Sequence, residues 1–136
     1  MIVVDTNVLA YFWIPGEATG LAHRLYAVEP EWVAPGLWRS ELRNVLATLV
    51  RTGRMTERVA VDTMAAAEEE MAGREAPVES EAVLRLAARS GLSAYDCEFV
   101  ALAQELGVPL VTADRQVLAT FPKVARSLEH AAARLS

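Results

Sequence analysis

An α/β fold with a short parallel sheet is predicted by three observations. Ile2, Val3 and Val4 are consecutive β-branched residues with no polar partner among them, which is how a strand buried on both faces of a parallel sheet reads. Leu110, Val111 and Thr112 repeat that pattern near the other end of the chain. Between them lie helical segments, several closed by glycine, so the strands are separated by crossover connections and not by hairpins. A chain of 136 residues with 53% hydrophobic content suits one domain, expected to span 1–136.

Asp5 ends the first strand, at the carboxyl edge where open α/β sheets place their ligands. An Asp-Thr-Asn turn that merely caps the following helix fits these residues equally well. A helix over Asn7–Trp13 stops at Pro15 and Gly16, and another runs from Ala18 to Tyr26. Tyr11, Phe12 and Trp13 read as core or rim residues in preference to a base-stacking platform. Glu31–Ala34 forms a weak strand ended by Pro35 and Gly36. Leu37–Arg54 forms a strong helix, with Trp38, Leu42, Val45, Leu46, Leu49 and Val50 as its apolar stripe. Glu41 lies at the edge of that stripe, a costly place for a lone carboxylate.

Thr56–Ala72 is a further helix, and its Glu68-Glu69-Glu70 run reads as a solvated face. Glu79–Ser90 forms the next one, stopped by Gly91. Ser93 is an N-cap signal for a helix carrying Asp96, Phe99, Val100, Ala103 and Leu106, with Gly107 as its stop. Asp114 follows the second strand and starts a helix, and Leu128, Ala131, Ala132 and Leu135 mark a closing amphipathic helix.

Composition narrows the chemistry. One cysteine, Cys97, permits no intramolecular disulfide, and His23 and His130 are too far apart in sequence to suggest zinc. No basic stretch leads into an apolar run and none approaches the ~20 residues that span a bilayer, so a cytoplasmic protein without membrane contact is expected. The net charge of −5 disfavours broad electrostatic binding to nucleic acid. Lys123 is the only lysine among 13 cationic residues, and only 4 of 18 acidic residues are Asp. Three of those, Asp5, Asp96 and Asp114, fall at predicted element ends; Asp62 does not.

Helix capping alone accounts for Asp96 and Asp114, since a helix N-terminus stabilises a carboxylate by ~0.3–1 kcal/mol. Alternatively Asp5 and Asp114 emerge at one sheet edge, with Glu41 and Asp96 on helices beside it. Carboxylates ~4 Å apart repel by about 4 kcal/mol at an effective dielectric near 20, so such a cluster calls for protonation or a cation. A hard divalent ion, which accepts a few carboxylates and retains open positions, matches that donor set.

Asp5-Thr6-Asn7, Ser40-Glu41-Leu42, Tyr95-Asp96-Cys97 leading to Ala101-Leu102-Ala103, and Val111-Thr112-Ala113-Asp114-Arg115 together resemble the four acidic motifs of PIN domains. In size and motif order the chain is most similar to VapC-type ribonuclease toxins. The resemblance implies a PIN-like α/β/α domain and magnesium-dependent, or manganese-dependent, endonucleolytic cleavage of single-stranded or structured RNA. Asp5 and Asp96 would be principal metal ligands, with Glu41 and Asp114 completing the catalytic and metal site. Asn7 and Thr112 are candidates for orienting the acids, and Arg39, Arg43 and Arg115 for contacting substrate phosphate. The family likeness also implies a cognate VapB-type antitoxin and a homodimer. Two other readings stay open: a PIN-like module that binds without cutting, and a phosphatase or receiver domain working through an aspartyl phosphate at Asp5. Against the latter, Asn7 stands where a second Asp is usual and Lys123 is not at a strand end.

Overall fold

Four parallel strands in the order β2-β1-β3-β4 form the centre of the computed structural model, which describes residues 1–134. The elements in chain order are β1 (Ile2–Val4), α1 (Thr6–Trp13), α2 (Thr19–Val28), β2 (Trp32–Val33), α3 (Leu37–Arg51), α4 (Glu57–Glu70), α5 (Ser80–Ser90), α6 (Ala94–Leu106), β3 (Leu110–Thr112), α7 (Arg115–Thr120), β4 (Ala125–Ser127) and α8 (Leu128–Arg134). The parallel sheet expected from the strand pattern, and the three-layer α/β/α fold that the family resemblance implies, are therefore observed. β4, with the sequence Ala-Arg-Ser at the sheet edge, is an addition that no apolar run announced. Leu135, assigned above to the closing helix, lies outside the described residues.

The order of the strands determines where the helices go. From β1 the chain moves one way to β2, then returns past β1 to β3, and right-handed crossovers in opposite directions fall on opposite faces. Accordingly α1 packs on α2, and α2 on α8, while α6 packs on β1 and β3 with α5 against it. The strands are buried from both sides, and their core is filled by Trp32, Trp38, Phe99, Leu9, Leu25 and Leu42. Phe12, Tyr26 and Trp32 form an edge-to-face trio, each pair with centroids within 5.5 Å, so Phe12 is a packing residue.

Two helix stops need glycine. Gly91 and Gly107 end α5 and α6 at φ of 74° and 67°, a left-handed conformation that residues with a Cβ adopt at a cost. The register then aligns the two central strands: Val3 pairs with Leu110 and Val4 with Val111, and the Asp5 N–H donates to the Val111 carbonyl at 3.0 Å. Asp5 and Thr112 consequently leave the sheet side by side. From β1 and β3 the chain departs toward neighbours on opposite sides, which makes this edge the topological switch point of the sheet.

Two expectations for α3 and α4 are corrected by the packing. Val45 is 36% exposed, not part of a buried stripe. The Glu68–Glu70 run is not simply solvated: Glu68 pairs with Arg39, and Glu70 accepts the Tyr26 hydroxyl hydrogen.

Candidate active site

The four acids arrive at one cavity of about 470 Å3 from four elements. Asp5 caps α1, Glu41 projects from α3, Asp96 from the first turn of α6, and Asp114 caps α7. Thr6, Asn7, Leu37, Ser40, Asn44, Val45 and Tyr95 also line it.

Asp5 is the most buried acid, at 8% exposure. Its Oδ1 accepts the Thr6 N–H at 2.8 Å and its Oδ2 the Thr112 hydroxyl at 2.8 Å. Asn7 binds the β3 end through both atoms of its amide, donating to Thr112 Oγ1 at 3.3 Å and accepting the Ala113 N–H at 3.1 Å. Thr6 donates to Glu41 Oε1 at 2.6 Å, which ties α1 to α3. Asp114 Oδ1 accepts the Val117 N–H at 3.0 Å, and the Asp114 N–H donates to Thr112 Oγ1 at the same distance.

These contacts separate capping from the rest. Asp5 and Asp114 each satisfy the start of a helix. Asp96 and Glu41 do not. The α6 cap is Ser93, whose Oγ accepts the Asp96 backbone N–H at 3.0 Å, so the Asp96 carboxylate is not the group that caps this helix.

Burial raises the Asp5 carboxyl to about 6 against the opposing hydrogen bonds of Thr112 and Thr6, with Glu41 and Asp96 adding to the rise. Glu41 is raised by burial first and by Asp96, and Asp96 by burial and then Asp114. Desolvation, not mutual repulsion, is the larger cause throughout. Among the described residues, no three His, Cys, Asp or Glu side chains are gathered closely enough to hold an ion as they stand. The four acids share the lining of one cavity. Glu98, which the motif pattern did not single out, belongs to this electrostatic group, raised by burial and by Glu41. A charged side chain between Cys97 and the apolar Phe99–Ala103 stretch of a helix was its available signal.

Among the described residues, no arginine or lysine lines this cavity and none of the four acids is in an ion pair. Arg39 and Arg43, expected as phosphate contacts, face elsewhere. Arg39 makes a forked contact with Glu75 at 2.7–3.1 Å and pairs with Glu68, and Arg43 lies 3.8 Å from Glu68. The reason is helical geometry: residues two apart from Glu41 are rotated about 200° away from it. Arg115 is exposed on α7 and is also absent from the cavity lining.

The PIN domain family matches residues 2–126. This chain belongs to the PIN domain family. Among relatives, it is 29% identical over 124 residues to Ribonuclease VapC3 of Pyrobaculum aerophilum, covering 89% of this chain and 95% of that protein. The fold matches the crystal structure of PAE2754 from Pyrobaculum aerophilum with a TM-score of 0.80 at 24% identity, over 98% of this chain and 95% of that one. The resemblance to VapC-type PIN domain proteins drawn from four short motifs is thus borne out. In this PIN domain those motifs supply the four acids of the cavity.

Proposed function

We propose that this PIN domain is a divalent-metal-dependent endoribonuclease and the toxin of a toxin-antitoxin pair. The observation that carries this reading is the set of four carboxylates lining one cavity at the switch point, without a cationic side chain among them. A buried Asp5 and half-buried Glu41 and Asp96, all raised above their ordinary range and among the described residues left without an ion pair, are a poor arrangement for stability alone, and their oxygen-only donor set suits magnesium or manganese. The family match and the similarity to a protein named as a ribonuclease support the same conclusion.

Asp5 and Asp96 would be the principal ligands, with Glu41 and Asp114 completing the site. A bound ion supplies charge neutralisation on the phosphate and a more acidic water for in-line attack, leaving a 3′-hydroxyl and a 5′-phosphate. The chain's own contribution is orientation. Thr112 and Thr6 fix Asp5 and direct one lone pair of each of its oxygens, Thr6 holds Glu41, and Asn7 locks the β3 turn that carries Asp114. Glu41 and Asp114 would help to take the proton from the attacking water. A cognate antitoxin of the VapB type, single-stranded RNA as substrate, a homodimer and one domain over residues 1–136 complete the proposal.

The test is cleavage of single-stranded RNA with magnesium or manganese against an EDTA control. Asp5→Asn, Asp96→Asn and Asp114→Asn are expected to lose nearly all activity and Glu41→Gln most of it. Asp62→Asn, in an exposed pair with Arg58 at 3.3 Å, is expected to cut normally. Undiminished cleavage in EDTA, or wild-type rates in the Asp variants, would defeat the reading.

A further inference from the structure

The two walls of the cavity differ in how far their polar groups are already committed. On the floor, Asp5, Thr6, Asn7, Thr112 and Asp114 are joined in one hydrogen-bonded network. Elsewhere along the lining, among the described residues the Asn44 side-chain amide has no hydrogen-bond partner; only its backbone, in α3, is bonded, its carbonyl accepting also from the Thr48 hydroxyl. Asn44 and Tyr95 both line the cavity, and among the described residues neither the amide nor the hydroxyl has a protein partner. Tyr95 is 62% exposed, high for an aromatic side chain, and Leu37 and Val45 add apolar surface to the same cavity.

Among the described residues no cationic side chain lines the cavity, so beyond what a bound ion supplies at the scissile phosphate, affinity here would come from the uncharged parts of a nucleotide. An unpaired base has a flat face that stacks on an aromatic ring and an edge that pairs with an amide carrying both donor and acceptor. The cavity is also larger than a hydrated ion needs, with room for about fifteen waters at ~30 Å3 each.

We propose that Tyr95 and Asn44 form a nucleobase subsite beside the acids, in which the Tyr95 ring stacks on an unpaired base next to the scissile phosphate and the Asn44 amide reads that base's edge. This rests on the ribonuclease reading. A base held in a duplex cannot present its face, so the subsite restricts cleavage to single-stranded positions.

Steady-state cleavage and fluorescence anisotropy with short single-stranded RNA, intact or carrying one abasic position near the cut, test it in the full chain. Tyr95→Ala is expected to raise KM about ten-fold or more with kcat little changed, Tyr95→Trp to retain binding, and Asn44→Ala to alter base preference at one position. Tyr95 is exposed, so these variants should melt like wild type, which the same samples verify. The abasic oligomer should bind wild type as weakly as the intact one binds Tyr95→Ala. Binding is measured in the Asp5→Asn background, where cleavage is not needed. Wild-type cleavage with unchanged KM and affinity in Tyr95→Ala overturns the subsite. Weakened binding in Tyr95→Ala with no cleavage by wild type retains the subsite and rejects the nuclease.

Discussion

Thr112 donates its hydroxyl hydrogen to Asp5 Oδ2 at 2.8 Å while its oxygen accepts the Asp114 N–H at 3.0 Å, so one side chain connects two of the four acids. The Asn7 amide approaches the same oxygen at 3.3 Å, which uses the full bonding capacity of the hydroxyl. The residue is wholly buried, so water cannot replace these bonds. β3 thus delivers both an acid and the group that holds the acid of β1.

Thr112→Val keeps the shape and removes all three contacts. A loss of about 1–3 kcal/mol is expected from the buried partners left unpaired. Because the Thr112 bond holds the Asp5 carboxyl down, its removal raises that group further and makes the loss larger at pH 8 than at pH 5. Urea unfolding at both values checks this; an equal loss would mean Thr112 serves packing alone.

Stability of the metal-free protein should rise as pH falls. Asp5 binds its proton more tightly folded than unfolded, so its unfavourable contribution is fully present above about 6 and disappears below the ordinary value of 3.8. A rise of that size corresponds to roughly 3 kcal/mol for this nearly inaccessible group. Glu41, Asp96 and Glu98 act in the same direction. Urea midpoints in EDTA between pH 7.5 and 4.5 measure the slope, and Asp5→Asn should flatten it near pH 6.

Arg39 is a structural clamp. It joins α3 to Glu68 of α4 and to Glu75, whose neighbours Arg74 and Ala76 bond to Ala34 beyond β2, and Glu75 also accepts the Trp38 indole N–H at 3.2 Å. Arg39→Ala should lower the melting temperature while leaving the salt dependence of RNA binding unchanged. A flattened salt slope would return Arg39 to the substrate.

The central strands and two of the acids were legible because local pattern alone specified them: Ile2–Val4 and Leu110–Thr112 are short runs buried on both faces, and Asp5 follows the first directly and Asp114 the second after Ala113. β4 was not, since an edge strand with one buried residue needs no apolar run. The destinations of Arg39 and Glu68 were not legible either, because the two meet across 29 residues and the choice among many surface acids is made by tertiary packing. That Arg39 and Arg43 turn away from Glu41 was available from helical periodicity. Glu41 itself was found through its place at the edge of an apolar stripe, and the stripe was drawn too wide, since Val45 borders the cavity.

Asp96→Asn separates a metal site from a set of caps. The substitution keeps the backbone N–H that Ser93 caps, so helix α6 should start as before. It removes a carboxylate that burial and Asp114 both disfavour in the charged form, so in EDTA near neutral pH the variant should melt above wild type. Magnesium should then act in the opposite sense on the pair. At about ten times its dissociation constant it stabilises wild type by about 1.4 kcal/mol through binding to the folded state alone, and the variant by much less. The two melting curves should therefore draw together or cross as magnesium is added. If Asp96 served the helix terminus instead, the variant would melt lower in EDTA, by an amount near the ~0.3–1 kcal/mol of a helix-end charge, and magnesium would shift neither curve. That pattern would remove the cation from the cavity and leave its four acids without a chemical role.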